Sequence, residues 1–238
     1  TGSMQLDVIK EVLSGDSVNV TGTLFAFALI LVALAFKVGG APFHFWIPDV
    51  YQGAPTPITA FLSVGSKAAG FLVLLRLIDP FLSSPTLVGK VTLALVIISV
   101  LTLILGNLSA LPQKNFKRLL AYSSVAHAGF LLMALACTPT ASEVGRTLSP
   151  VTVIAFYLGA YLSMTLLAFL VMTSVRSAIE GEDLEAYRGL AKRAPFLSFA
   201  LLVAMASLAG IPLTVGFFGK FFVFQLAIQQ EQWLLLIV

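Results

Sequence analysis

The stretch Ala35–Arg76 reads AFKVGGAPFHFWIPDVYQGAPTPITAFLSVGSKAAGFLVLLR and decides the fold. It holds Lys37 and Lys67 in strongly apolar sequence. Between them lie the helix breakers Gly39, Gly40, Pro42, Pro48, Gly53, Pro55 and Pro57. A lysine at the centre of a bilayer costs roughly 2.5–3.5 kcal/mol on insertion scales, so it marks a functional site by default. Broken helices at membrane depth persist only where protein or a wet cavity surrounds them. Together the two features predict a path for ions or protons.

The composition is that of an integral membrane protein. Of 238 residues, 58% are hydrophobic and 11% charged, against about 25% charged in a soluble domain. The mean hydropathy is +0.99. The net charge of +3 is small, and no basic run suits nucleic acid. The single cysteine, Cys137, excludes an internal disulfide, and we expect it to pack as a small apolar residue.

Apolar segments of about 20 residues predict an all-α, polytopic bundle of six to seven transmembrane helices. The predicted helices are Val20–Lys37 with a second half over Phe43–Tyr51, Pro57–Ile78, Leu87–Leu111, Phe116–Cys137, Pro150–Arg176, a broken helix from Pro195 that resumes over Phe217–Gln225, and a seventh from Trp233. We assign residues 1–238 to one membrane domain. Because the last apolar run stops at the final residue, we expect a partial chain.

Two segments form a weak internal repeat. Leu34–Pro42 reads LAFKVGGAP and Ala204–Pro212 reads AMASLAGIP. Each places a break in a long apolar helix, formed by Gly39, Gly40 and Pro42 in the first copy and by Gly210 and Pro212 in the second. An odd number of helix steps separates the copies, so they must run in opposite directions. This pattern predicts inverted repeats with discontinuous helices, an architecture of transporters.

Positive charge in the loops predicts the orientation. Loops after the first, third and fifth helices carry more lysine and arginine than the others, which places them in the cytoplasm and residues 1–19 outside. Three of these residues, Lys114, Lys117 and Arg118, lie at the entry to the fourth helix. We interpret them as charges that set topology.

Lys67 is the sharpest candidate for proton chemistry. It lies near the centre of its span, where its ammonium cannot easily reach an interface. Ser63, Ser66 and Gly70 give its helix a small polar face suited to helix packing or water. Burial disfavours the charged form of a lysine, so such a side chain can take up and release protons near neutral pH.

Three further residues are candidates for the same chemistry, each with a plainer alternative. Lys37 ends a half-helix, where it could meet the negative carbonyl end or snorkel to an interface. Lys220 follows the second break among phenylalanines, where it could instead be an interfacial lysine stacked on aromatic rings. His127 is a possible proton shuttle inside the fourth helix or a packing residue.

Smaller polar residues surround these candidates. Tyr122, Ser123 and Ser124 could hold water beside His127. His44 and Asp49, by contrast, are expected to be interfacial residues near the cytoplasmic end of the first break.

Several motifs are missing from the sequence. It has no G-x-G-x-x-G, no Walker A loop, no cysteine cluster, and no acidic residue inside a predicted span apart from Asp49 in the short half-helix. We therefore predict no nucleotide, metal or redox centre in this chain.

Three long motifs resemble one known family. AFKVGGAPFHFWIPDVYQGAPTPITAFLSVGSKAAGF, NFKRLLAYSSVAHAGFLLMALA and LAGIPLTVGFFGKFFVF are similar, in this order, to the proton-conducting antiporter-like subunits of respiratory complex I. PFHFWIPDVYQGAPTP followed by FLSVGSK is most similar to the subunit N type, which includes the equivalent mitochondrial and chloroplast chains. By this resemblance the chain would run from the end of helix six to the start of helix thirteen of about fourteen.

The resemblance implies a central hydrophilic axis of lysines midway across the membrane. Lys37 would be the lysine of broken helix seven, Lys67 that of helix eight, and Lys220 that of broken helix twelve. The family pairs the first of these with a glutamate on helix five, upstream of Thr1. NADH, FMN, iron–sulfur clusters and quinone would belong to other subunits of the complex.

The function expected from the residues and the resemblance is proton translocation by a membrane-arm subunit of NADH:quinone oxidoreductase, a translocase of the respiratory electron-transport chain. Its proton path would use Lys37, Lys67, His127 and Lys220. The expected partners are other membrane-arm subunits, lipid, water and protons, but not nucleic acid. The expected location is a bacterial inner membrane or an organelle membrane. Two alternatives stay open: a subunit of a multi-subunit cation/proton antiporter, and a non-transporting membrane scaffold.

Overall fold

The computed structural model describes residues 2–15, 18–137, 148–176 and 181–237. Every regular element within these ranges is a helix. The α-helices are α1 (Leu6–Ser14), α2 (Val20–Val38), α3 (Trp46–Gly53), α4 (Thr56–Phe61), α5 (Lys67–Leu82), α6 (Val88–Ala110), α7 (Phe116–Ala136), α8 (Pro150–Val175), α9 (Leu190–Arg193), α10 (Pro195–Ala209), α11 (Val215–Gln229) and α12 (Trp233–Ile237).

Five helical segments of the described chain are long and apolar enough to cross a membrane: Val20–Val38, Thr56–Leu82, Val88–Ala110, Phe116–Ala136 and Pro150–Val175. The shorter apolar helices α10 and α11 form the two halves of the last broken helix. The prediction of an all-α transmembrane bundle is confirmed. Each predicted span agrees with an observed one to within a few residues, because uninterrupted apolar length is the signal that a bilayer selects.

The two helix breaks have the same local structure. Gly39 and Gly210 end α2 and α10 in the left-handed conformation, both with φ of 84°, which glycine adopts without a steric penalty. In each break, two successive amides donate to one carbonyl, that of Ala35 in the first copy and that of Ala206 in the second. The weak sequence repeat is therefore a structural repeat.

The two copies run in opposite directions, as predicted. The loop before α7 lies beside the segment that precedes α10: Phe116 N donates to Glu182 O and Leu184 N donates to Lys114 O, both at 2.8 Å. We call this side of the bundle the loop end. Lys117, in the first turn of α7, bonds to Ala54 at the end of α3 and to Glu182 in the segment that leads to α10. The end of α3 and the segment before α10 therefore both lie at the loop end. The first broken helix therefore arrives at the face from which the second departs.

α7 lies at the centre of the bundle, and α2 lies at its edge. Most of α7 is buried, whereas most of α2 is exposed. Gly106 and Gly129 permit the close packing of α6 on α7, since a Cβ at Gly106 would lie 2.7 Å from the backbone nitrogen of Ala126. Small residues allow such close approach between membrane helices. The central position of α7 brings its polar residues within reach of both broken helices.

The sequence did not predict two features. One turn of π-helix, Leu62–Ser66, joins α4 to α5 directly before Lys67; turns of this kind are frequent at functional sites. The other is the short helix α1, which packs on α5 and whose Lys10 pairs with Asp79 at 2.8 Å. The π-helical turn lies inside a span whose apolar length does not distinguish it from α-helix, and α1 has no long apolar run.

Candidate functional site

Lys67 is buried at the centre of the bundle. Its side chain is 3% exposed, and its ammonium donates hydrogen bonds to both the backbone carbonyl and the hydroxyl of Ser124 on α7. The π-helical turn ends at the residue before Lys67, so this residue starts a new α-helical segment that points toward α7. The predicted buried lysine is confirmed, and Ser124 is its polar partner.

Two tyrosines complete the surroundings of Lys67. The Tyr51 hydroxyl lies 3.3 Å from the Ser124 hydroxyl, and the ring centroid of Tyr161 lies 5.5 Å from the lysine nitrogen. No carboxylate in the described part of the chain forms an ion pair with Lys67. The ammonium is therefore held by a serine and a tyrosine face. Such neutral partners leave the lysine free to become neutral without stranding a buried anion.

His127 lies on the same helix as Ser124 and is also buried, with 3% exposure. Its Nδ1 lies 2.7 Å from the hydroxyl of Tyr157 on α8. Its ring centroid lies 5.0 Å from that of Tyr161, which also faces Lys67. The imidazole interacts electrostatically with both Lys67 and Lys220. His127 therefore stands between the two lysines.

Lys220 caps the broken end of α10. Its ammonium donates to the carbonyls of Ala209 at 2.9 Å and Leu208 at 3.2 Å. It also lies 5.0 Å from the ring centroid of Phe130, a cation–π distance. The carbonyl end of a helix carries partial negative charge, so the break supplies a binding place for a cation.

Lys37 has a different environment. Its side chain is exposed at the edge of the bundle, and its stem packs near Gly70, one turn beyond Lys67. Among the described residues, no hydrogen bond or ion pair to its ammonium is found. Of the two alternatives for Lys37, contact with the carbonyl end of its own half-helix is not found among the described residues, whereas Lys220 makes the equivalent contact. The direction of the side chain explains the difference, since Lys37 lies two residues before Gly39 and a helical side chain leans toward the N-terminus.

A cavity of about 200 Å³ connects His127 with Lys220. It is lined in part by Asn107, Ser123 and Leu208, and this volume has room for several water molecules. Ser123, predicted to hold water beside His127, is one of its walls. The cavity therefore offers space for water between the histidine of α7 and the lysine of the second break.

The interpretation of Lys117 as a simple topology charge is wrong. Its side chain is 2% exposed, and its ammonium contacts Glu182 Oε1 at 2.6 Å and the Ala54 carbonyl at 3.0 Å. It therefore fastens the end of the first broken helix to the segment before the second. Tyr187 lies near the same carboxylate. Burial raises the pKa of its hydroxyl, and the negative charge of Glu182 raises this pKa further.

The other residues near the loop end have separate surroundings. Arg118 pairs with Asp49 at 2.8 Å on a more exposed surface, as expected for interfacial residues. His44, also predicted to be interfacial, is instead buried at 2% exposure and stacked on Phe45. Neither Asp49 nor His44 joins Lys67, His127 and Lys220.

Sequence reasoning missed the three buried tyrosines of the site. Tyr157 and Tyr161 occur four residues apart on α8, and Tyr51 lies on α3. A buried tyrosine hydroxyl usually has a hydrogen-bond partner. The two tyrosines one turn apart in the apolar helix α8 could therefore have indicated polar contacts inside the bundle. In the described ranges, no group of three His, Cys, Asp or Glu side chains could hold a metal ion.

The fold and the site together define a class: a polytopic membrane protein with inverted, discontinuous helices and buried basic residues along its middle. A family model for the transmembrane part of NADH:quinone oxidoreductases and Mrp antiporters matches residues 1–238. The chain belongs to this family. It is a multi-pass membrane protein.

Curated relatives and a solved structure agree with this assignment. The chain is 42% identical over 231 residues to NADH-quinone oxidoreductase subunit N 2 of Chloroherpeton thalassium, covering 94% of this chain and 43% of the relative. It is 44% identical to subunit N of Chlorobium chlorochromatii, covering 100% and 46%. A chain of respiratory complex I from Thermus thermophilus matches with a TM-score of 0.71 and 42% identity, covering 89% and 44%.

The chain thus spans less than half the length of these curated relatives. The relatives are bacterial, which places this family member in a bacterial inner membrane.

Proposed function

We propose that this chain is part of a proton-translocating membrane-arm subunit of NADH:quinone oxidoreductase. The observation that carries the proposal is the row of basic side chains formed by the buried Lys67 and His127 and the half-buried Lys220. They lie on α5, α7 and α11, the last of which is the second half of the second broken helix. The similarity to subunit N relatives supports the same function. Other membrane-arm subunits are its proposed partners, as the solved relative comes from a multi-subunit membrane complex.

The geometry supports proton transfer in three stages. The Lys67 ammonium gives its proton toward Ser124 and adjoining water, and the neutral amine can keep a hydrogen bond to the serine hydroxyl. His127 accepts the proton and passes it through the cavity to Lys220. Lys220 first releases its own proton toward water, then accepts the one from His127 and holds it against the carbonyls of Leu208 and Ala209. A change in charge near Lys37, which packs beside Gly70 one turn beyond Lys67 on α5, alters how strongly Lys67 holds its proton.

The proposed subunit is a translocase without a redox centre of its own. NADH, FMN, iron–sulfur clusters and quinone are assigned to other subunits, and their reactions supply the energy. The residues at the site are basic or neutral, which suits protons better than metal cations. Sodium and other hard cations prefer several oxygen ligands, carboxylates among them. The absence of ion-paired acids around Lys67 within the described chain therefore favours proton transfer over cation exchange.

The experiment is proton pumping in inverted membrane vesicles from cells that carry Lys67→Ala in the full-length gene. Native gels establish assembly, and Lys90→Ala, at an exposed lysine near the start of α6, is the matched control. We expect Lys67→Ala to assemble and lose pumping while Lys90→Ala pumps normally. Sodium flux that depends on Lys67 would instead favour the antiporter, and normal pumping by the assembled Lys67→Ala complex would favour the scaffold.

A further inference from the structure

The hydroxyl of Tyr157 is hydrogen-bonded to the His127 ring, but the proposed proton path does not use this hydroxyl. Tyr157 lies on α8, is 1% exposed, and approaches Nδ1 of the histidine at 2.7 Å. The ring also interacts with the backbone carbonyl of Leu208. That carbonyl also accepts from Lys220 at 3.2 Å. His127 is therefore held between a hydroxyl on one side and a carbonyl on the other.

These two partners determine which ring nitrogen carries the proton. A carbonyl oxygen only accepts, so the N–H of the neutral imidazole faces Leu208. Nδ1 is then the acceptor, and Tyr157 donates its O–H to it. When His127 takes up a second proton from the water that adjoins Lys67, the Tyr157 O–H turns away, the proton binds to Nδ1, and this N–H then donates to the Tyr157 oxygen. The hydroxyl serves both states because it can donate and accept, and Tyr157 loses no proton in either.

We propose that Tyr157 is a positioning residue that keeps His127 aligned between Lys67 and Lys220 in both of its protonation states. This inference rests on the proposed proton path. A partner that could only donate or only accept would lose its hydrogen bond each time the histidine changed charge. The ring would then be free to turn away from the cavity that leads to Lys220.

The packing of Tyr157 supports this role. Its ring packs against Gly219, the residue before Lys220, where an added Cβ would lie 3.0 Å from the tyrosine ring. Its ring also lies 6.3 Å from that of Phe130, which contacts Lys220. The tyrosine is therefore fixed by the same helix that carries Lys220, so its hydroxyl has a defined position relative to both ends of this step.

The test is Tyr157→Phe in the full-length gene, which removes the hydroxyl and retains the ring that packs on Gly219. The matched control is Tyr187→Phe, which removes one hydroxyl from a half-buried tyrosine outside the path. Pumping in inverted vesicles is measured against pH, with assembly checked by native gel. We expect Tyr157→Phe to assemble and to pump about tenfold more slowly, the loss typical of one hydrogen bond. Its pH profile should change, while that of Tyr187→Phe should match the wild type.

A second variant, His127→Gln, shows whether the tyrosine acts through the histidine. If it does, adding Tyr157→Phe to His127→Gln causes no further loss of pumping. Normal pumping by Tyr157→Phe, or an equal loss in both backgrounds, would overturn the inference. Failure of the proposed path itself has a different signature: Lys67→Ala would then pump normally. Lost pumping in Lys67→Ala with normal pumping in Tyr157→Phe would remove only the role of the tyrosine.

Discussion

The buried ion pair at the loop end gives a quantitative prediction. Lys117→Met keeps a long side chain but removes the ammonium that bonds to Ala54 and Glu182. A hydrogen bond from a charged donor is worth about 1.5–3 kcal/mol. Glu182 is 26% exposed and stays partly hydrated, so its share is nearer the surface-pair value of about 0–1 kcal/mol. We therefore expect Lys117→Met to lower the stability of the fold by about 1.5–4 kcal/mol.

The matched control for this prediction is Lys114→Met. Lys114 has the same charge, lies three residues earlier and is exposed, so its substitution should change stability by at most about 0.5 kcal/mol. The assay is the thermal midpoint of the detergent-solubilised complex together with subunit abundance on native gels. A lower midpoint in Lys117→Met alone is the expected result. If the two variants behaved alike, Lys117 would be only a topology charge and the clamp between the broken helices would be refuted.

Further predictions concern the breaks and the core. Gly39→Ala should lower the thermal midpoint, because φ is 84° and the new Cβ would lie 2.2 Å from Ile47 Cδ1. Gly53→Ala is the control and should leave the thermal midpoint unchanged, because its new Cβ meets nothing within 4 Å. Gly216→Ala should reduce assembly on native gels, because its Cβ would lie 1.8 Å from the Ser207 carbonyl oxygen, while Gly159→Ala, with open space around it, should assemble normally. Cys137 is 0% exposed, so maleimide should label it only after denaturation; rapid labelling of the native complex would contradict its burial.

Much of the architecture was predictable because bilayer physics leaves a strong signal in sequence. The spans follow from apolar length, and both breaks follow from glycine and proline in apolar helices. The burial of Lys67 follows from its place at the middle of a span. Each of these inferences depends on residues close together in the chain, where pattern and cause coincide.

The misses involve partners that are distant in sequence. Lys117 and Glu182 meet only because the loops at one end of the bundle fold together, so from the sequence a lysine in the first turn of a helix could equally be a topology charge. The contact of Lys67 with Ser124, and of His127 with Tyr157, also depends on tertiary packing. The π-helical turn before Lys67 has no distinctive composition. Sequence therefore indicated which basic residues are unusual, but not which neutral side chains hold them.

The central claim is that Lys67 must release its proton, and Lys67→Arg tests it most directly. Arginine keeps the positive charge but cannot be deprotonated in a protein, so it separates a need for charge from a need for proton release. The measurement is proton pumping by inverted vesicles that carry Lys67→Arg in the full-length gene, with assembly checked by native gel and Lys90→Arg as the control. The account predicts an assembled complex that does not pump. Pumping at the wild-type rate would contradict it, because a fixed charge at this position would then be enough.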